Sequence, residues 1–401
     1  MNLWRKVWLS VFILTGFIVS AKGQEASVIR QADSVLKARG EIYFTFEPQY
    51  LTPRLANILS IEKISDNLVY AYANRGGFSQ IIKQKFPFLL RPENFLVSGL
   101  KSAAVTDPDS VYPSYPKYLK MMQEFVSQFP DMCGLYEIGK SAQGRKILAL
   151  KLSSPVNSSE SRPAIMLSGT IHGNELTGYK LLLQLTDELL RNYESDPLIN
   201  RLLNNCIIWI NPLANPDGTY FGGDNTVAAA KRFNANNTDL NRNFPDPLEG
   251  KHPDGKSWQP ETIAMMDFYK NHGINLSANL HAGEVVVNYP WDTWSRLHAD
   301  NGWFKAISRQ YADTAQKMSN NGYMNSTANG FDRGIVNGFQ WYRITGGRQD
   351  YFTYFAGGRE ITLELSNENM PGLAEVSSYW DYNRLSLLRF IEQSLFGVKG
   401  K

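Results

Sequence analysis

His172 and Glu175 stand three residues apart in TIHGNE, directly after the apolar run AIMLSG. His281 follows a second such run, NLSANL, and Glu364 sits inside a third, ITLELS. With only two cysteines in the chain, any metal must draw on histidine and carboxylate donors. Two imidazoles and one carboxylate leave Zn2+ a fourth position for water, the arrangement of a catalytic site. A carboxylate outside that shell is then needed to move a proton, and Glu364 is the candidate, because a glutamate in an apolar strand is costly without a partner. Alone, His-x-x-Glu is a weak signal. Glu175 also reads as an acid at a helix start, and His281 as a buried, satisfied histidine. What favours chemistry is convergence, because these groups sit at the carboxyl ends of strand-like runs, where open α/β sheets bind ligands. His252, His272 and His298 lie in polar, charged surroundings and are left out of the site.

A second cluster suits a substrate. DLNRNFPD, residues 239–246, sets Asn241 beside Arg242 in an irregular segment rich in Asn and Pro. An exposed arginine next to an amide suits a terminal carboxylate, since the guanidinium fork matches it bidentately. Upstream, KRFNANNT carries Arg232, which reads either as an oxyanion stabiliser or as a solvated surface arginine. NPDG at residues 215–218 forms a turn after the run CIIWINP.

The elements that must position these groups are visible as patterns. From about residue 112, ILALKLS, PAIMLSGT, CIIWINP, INLSANL and EITLELS are apolar, β-branched runs with few internal charges. They predict strands buried on both faces of a sheet, and KYLKMMQEFVSQF and TGYKLLLQLTDELLRNY predict helices covering it. The expected fold class is α/β. Residues 24–110 alternate differently: EIYFTF and NLVYAYA are strand-like, PRLANILSIEKIS and GGFSQIIKQKF helix-like, so a small separate α/β module is expected. KSAAVTDPDSVYPSYP between the two regions reads as an exposed connector. Before both, MNLWRK and VWLSVFILTGFIV have the charge and length of a secretory signal, with small residues Ala21 and Gly23 where a peptidase would cut. Residues 1–23 are therefore expected to be removed, the mature protein to be secreted or periplasmic, and no stable membrane span to remain. An uncleaved anchor is the other reading of the same stretch.

Composition narrows the partners. The net charge of +3, from 41 basic and 38 acidic residues, with no long basic run, argues against a nucleic-acid surface. A hydrophobic fraction of 43% over 401 residues supports a large core. Cys133 and Cys206 would be free to pair in an oxidising compartment, or to stay as separate buried thiols.

Taken in order, YEIGKSAQGR, GTIHGNELTG, INPLANPDG, DLNRNFPD, ANLHAGEVVVNYPWD, WYRITGGRQDY and EITLELS resemble the zinc metallocarboxypeptidases. The likeness is strongest to their regulatory, basic-residue-preferring branch, the carboxypeptidase N and E type, and runs from about Tyr112 to Gly400. Two imidazoles with one carboxylate is also the ligand set known in carboxypeptidase A. The resemblance implies a mixed, mostly parallel eight-stranded sheet between helices, and a catalytic domain over residues 111–401 holding one zinc ion. It implies His172, Glu175 and His281 as ligands and Glu364 as the general acid/base. It implies Arg232 on the oxyanion, and Asn241, Arg242 and Tyr342 on the C-terminal carboxylate of a peptide substrate. Asp292 and Gln349 stand where the branch selects C-terminal Lys or Arg. The chain departs from the family pattern at Arg348, usually Met, which could pair with Asp292 and cancel its pull. It also departs at Ala282–Gly283–Glu284, usually Gly-Gly.

The 24–110 module resembles the inhibitory pro-segment of the digestive branch in position, size and alternation. Blocking the site until cleavage within residues 99–111, binding a partner and stabilising the fold all remain open for it. Two other functions are kept beside the release of Lys or Arg: the same hydrolysis applied to cell-wall peptides, and a catalytically silent peptide-binding module.

Overall fold

The computed structural model describes residues 12–91, 108–158 and 161–397. The start of the expected signal segment, residues 99–107 of the expected cleavage region and residues 398–401 lie outside the described residues. Among the described residues no helix is long and apolar enough to cross a membrane.

EIYFTF becomes β1 (Glu41–Phe46), following a helix over Phe12–Arg39. It is central in a four-stranded antiparallel sheet of order β2-β3-β1-β4, with β2 Ser60–Ser65, β3 Leu68–Asn74 and β4 Leu89–Leu90. Ile42, Phe44, Phe46, Ile61, Val69 and Ala71 form a core of their own with Phe78 and Ile81 from the helix Arg75–Gln84. PRLANILSIEKIS does not form the expected helix. Pro53 starts a single turn to Ala56, and the β-branched Ile61 and Ile64 then pair in β2 against β3. The register of β2 slips between Ile61 and Lys63, which makes Glu62 a bulge residue.

The large sheet has order β11-β10-β12-β9-β7-β8-β6-β5. Its strands are β5 (Cys133–Lys140), β6 (Lys146–Leu152), β7 (Ala164–Gly169), β8 (Ile207–Asn211), β9 (Ile274–His281), β10 (Glu284–Tyr289), β11 (Ile335–Asn337) and β12 (Arg359–Ser366). The central block β12-β9-β7-β8 is parallel, as is β10-β11, and the other three pairings are antiparallel. Side-chain alternation explains the layers. Ile361, Leu363 and Leu365 of β12, with Leu276, Ala278 and Leu280 of β9, enter the main core, to which the helices Thr177–Arg191, Asn301–Met318 and Leu373–Glu392 also contribute. Ala164 and Met166 of β7 and Trp209 of β8 face the other way, onto Met265, Phe268 and Tyr269 of the helix Pro260–His272. The polar alternates of β9 and β12, Ser277, Asn279, His281, Glu360, Thr362 and Glu364, are buried.

The expected connector is only partly a connector. Val111, Tyr112 and Tyr115 are buried in the main core, and the Tyr112 hydroxyl donates to Pro371 O at 2.9 Å. Aromatic rings at the end of a polar stretch override its loop-like composition. Cys133 and Cys206 are separate buried thiols that form no disulfide.

Candidate active site

Two strand ends and one tight turn assemble the metal group. His281 closes β9, and register pairs it with Glu364 on the neighbouring β12, so both side chains share a face. His172 lies beyond the end of β7, after Thr170, a buried β-branched residue at φ 57°. Such a conformation costs of order 1–3 kcal/mol and recurs where a chain must be re-aimed. Gly173 then passes so close to NPDG that a Cβ on it would sit 2.4 Å from Gly218 C. The helix begins at Thr177, two residues later than Glu175, so Glu175 is free of the helix ladder.

The donors converge. His172 Nδ1 lies 2.8 Å from Glu175 Oε1, and His281 Nδ1 lies 2.8 Å from Glu175 Oε2. The three ligand atoms fall within 4.8 Å of one another, all buried. His172 Nε2 faces Asp239 Oδ1 at 3.1 Å, and Asp239 is itself pinned by Asn241 N at 2.8 Å. That leaves Nδ1 of His172 for the metal, as a carboxylate behind a ligating imidazole does in zinc sites. Burial pushes His281 down to about 4, which keeps it neutral, the form that binds metal. Two imidazole nitrogens and a carboxylate around one point fit zinc.

Glu364 aims into the same pocket, with Oε2 buried and unpartnered. Burial first, and the Glu175 charge second, push it well above the usual carboxylate range. Arg232 is buried as well, against the reading of a solvated arginine. Its Nη1 reaches Glu175 Oε1 at 2.7 Å and its Nε donates to Ser60 Oγ at 2.6 Å.

The residues expected to bind substrate line the rest. Arg242 and Tyr342 face the pocket together. Arg242 is covered rather than exposed, and its Nε is buried without a partner. Its Nη2 approaches Ile61 O at 3.5 Å, and the Tyr342 hydroxyl lies 3.3 Å from both Ile61 O and Glu62 O. The bulge of β2 therefore occupies the place beside both side chains. Asn241 accepts from Arg348 N through Oδ1 at 2.9 Å. Asp292 sits at the base, its Oδ1 accepting from Asn288 Nδ2 at 3.0 Å and Gln349 Nε2 at 3.1 Å. Arg348 does not pair with Asp292. It is fully buried against Glu360, with Nε 3.1 Å from Oε1, and donates to Ala278 O, so its charge is spent beneath the sheet.

Three neighbours went unassigned in the sequence. Asp239 opens DLNRNFPD, and an acid two residues before Asn241 is the available signal. Asn288 and Glu62 left none, because an amide in a strand and an acid at a bulge show no periodicity. His272 packs on Phe268 and its Nδ1 lies 2.9 Å from Phe268 O, while His298 accepts from Asp300 N, both structural tasks.

A family model described as zinc carboxypeptidase matches residues 118–386. Carboxypeptidase SOL1 of Arabidopsis thaliana is 35% identical over 289 residues, 70% of this chain and 56% of that protein. Carboxypeptidase M of Mus musculus is 35% identical over 314 residues, 76% of this chain and 70% of that protein. Carboxypeptidase D of Mus musculus, also 35% identical, is covered over 25% of its length, so the chain spans about half or less of several relatives. Among solved structures, carboxypeptidase A from Helicoverpa armigera has a TM-score of 0.64 at 20% identity, covering 89% of this chain and 97% of that one. Thrombin activatable fibrinolysis inhibitor has 0.66 at 15% identity, covering 90% and 100%, and at such identities the likeness speaks for the fold. With a family model across two thirds of its length and relatives of both kinds, the chain belongs to the zinc carboxypeptidase family.

Proposed function

We propose that this protein is an exported zinc carboxypeptidase that hydrolyses the last peptide bond of peptides ending in Lys or Arg. The observation that carries this reading is a single pocket holding the His172–Glu175–His281 group, Glu364, the carboxylate-sized pair Arg242 and Tyr342, and Asp292 at its base. Zinc, when bound by the two imidazoles and Glu175, supplies a Lewis acid that polarises the scissile carbonyl and acidifies water.

The chain's own residues do the rest. Arg242, with Asn241 and Tyr342, holds the substrate's free carboxylate and so selects the terminal bond. Asp292 supplies the counter-charge for a cationic side chain, a role left intact because Arg348 is engaged by Glu360. Glu364 takes a proton from the attacking water and delivers it to the leaving nitrogen, and its burial suits a group that must hold a proton between transfers. Arg232 stabilises the developing oxyanion. One water is consumed, and a shortened peptide and one free amino acid leave.

Export rests on the 1–23 signal pattern. The structure of the N-terminal unit favours a latent form, since Ile61 and Glu62 lie where a substrate carboxylate would go. The test is amino-acid release from a free-ended peptide terminating in Lys, with protein cleaved within residues 99–107. An amidated peptide and a chelated sample serve as controls. Release that needs both zinc and the free carboxylate is the expected result. A zinc-loaded, folded, cleaved protein that releases nothing at any dilution would sink the reading.

A further inference from the structure

The chain from Phe221 to Asp239 carries Arg232 and contains neither helix nor strand. Part of it is held within the larger unit: Lys231 N donates to Gly218 O, Gly173 N to Arg232 O, Asn234 N to Thr238 O and Asn237 N to Asn234 O. The amides of Arg232 and Phe233 turn instead to the N-terminal unit. Glu41 accepts both, Arg232 N at Oε1 and Phe233 N at Oε2, each at 2.8 Å. Glu41 is fully buried, and a carboxylate there needs such partners to offset its lost hydration.

Other contacts from the same unit fall on the same few residues. Arg39 Nη2 donates to Ala229 O at 3.3 Å and Ala230 O at 3.0 Å, and Lys231 Nζ returns a bond to Arg39 O at 3.3 Å. Asn74 Nδ2 donates to Asn237 O at 2.9 Å. Gly40, at φ 80°, lies so near the Asn237 side chain that a Cβ would meet Oδ1 at 2.0 Å. The Arg232 guanidinium lies over the Tyr72 ring, 5.3 Å from its centroid, and Phe233 packs with Tyr43 and Tyr72. Contacts of the N-terminal unit also reach Asn174, Arg242, Tyr342, Thr345 and Asn369. On residues 229–237 they fall on the backbone itself, at the amides of Arg232 and Phe233 and the carbonyls of Ala229, Ala230 and Asn237.

We infer that the N-terminal unit is a scaffold for the 229–237 loop, with Glu41 as the residue that positions Arg232. The unit thus has two tasks of opposite sense. It covers the carboxylate subsite, and it orders the loop bearing the arginine that the covered site would use. This role does not depend on the hydrolase reading.

The test is hydrogen–deuterium exchange on the intact, zinc-loaded chain, comparing peptides from 229–237 with peptides from β9 and β12. Slow exchange of the loop is expected in the unaltered protein. Glu41→Ala should quicken exchange at Arg232 and Phe233 by roughly tenfold or more while β9 and β12 stay as they were. Glu41→Gln keeps an acceptor oxygen for one amide and should fall between, a partial rescue that mere loss of packing would not give. If Glu41→Ala does not fold, Asn74→Ala should quicken exchange at the Asn237 end alone. A loop that exchanges equally in every variant, or a rise spread evenly over the chain, would overturn the inference. A protein found to lack peptidase activity would leave this measurement unaffected.

Discussion

Asp292 gives the most specific residue-level prediction. It is buried, its Oδ1 is held by two neutral amides, and the charges of Asp246 and Glu360 oppose the help it gets from Arg242. Burial leads these effects and pushes it up to about 7. Below that pH the carboxyl is neutral in the empty pocket, and a lysine or arginine side chain entering it finds no counter-charge. Above it the group is ionised. On the proposed reading, KM for an Arg-ended peptide should therefore fall as pH rises through about 7, by about tenfold per pH unit on the acid side. A Phe-ended peptide should show no such slope. Steady-state kinetics with both peptides checks this, and parallel profiles would count against Asp292 as the selector. Asp292→Asn should remove the slope and the preference together. Glu364→Gln keeps the shape of the side chain but not its basicity, so kcat should drop by about 10²–10⁴-fold. Its zinc content, read by metal analysis, should stay at one per chain, and a variant that still turns over at the original rate would exclude Glu364 as the proton carrier.

The turn after β7 is the element that decides whether His172 can serve. Gly173 faces Gly218 C at 2.4 Å and Thr219 N at 2.5 Å from an added Cβ, so only backbone could give way. Gly173→Ala should cost about 1–3 kcal/mol of stability and weaken zinc binding as well, because His172 is the adjoining residue. Thermal unfolding with a zinc titration separates the two effects, and unchanged zinc affinity would show that this turn does not set the ligand. The same turn marks where reading the sequence stops. The strands were legible because their apolar runs are β-branched and carry few charges, and on that basis His281 could be placed at a strand end and Glu364 within a strand. The crossing of TIHGNE over NPDG was not, since a contact between distant segments leaves no periodic trace. PRLANILSIEKIS misled for a related reason. Its apolar spacing fits a helix, but pairing with β3 outweighs local preference. Arg348 shows the limit at a single position, for its charge suggested Asp292 as partner, and only tertiary packing places it against Glu360.

At the scale of the whole molecule, the N-terminal unit and the larger sheet have separate cores joined by a seam of hydrogen bonds and the Tyr43–Tyr72–Phe233 cluster. The bonds on the proposed carboxylate subsite are long, 3.3–3.5 Å, and end on main-chain carbonyls, which on that reading a charged substrate carboxylate would outcompete locally. What keeps Ile61 and Glu62 in place is the bond from Asn369 Nδ2 to Glu62 Oε1 at 3.0 Å, the rest of the seam with Glu41 and Asn74 as anchors, and the covalent tether that holds the unit at high effective concentration. Cutting the chain within residues 99–107 removes the tether without touching the seam. The cleaved unit then becomes a ligand of the larger one, and its occupancy depends on protein concentration. Specific activity of cleaved protein should therefore rise as it is diluted, whereas the uncut chain should be weakly active at every dilution. If the docked form outnumbers the open one by about 99 to 1, the apparent affinity of the uncut chain for substrate is reduced by roughly 100-fold. Equal activity of cut and uncut protein at all dilutions would mean that a substrate carboxylate reaches Arg242 with the bulge of β2 still present. Because departure of the unit also releases Glu41 from the Arg232 amide, the gain on dilution should appear mainly as lower KM, with kcat held back by the loosened loop.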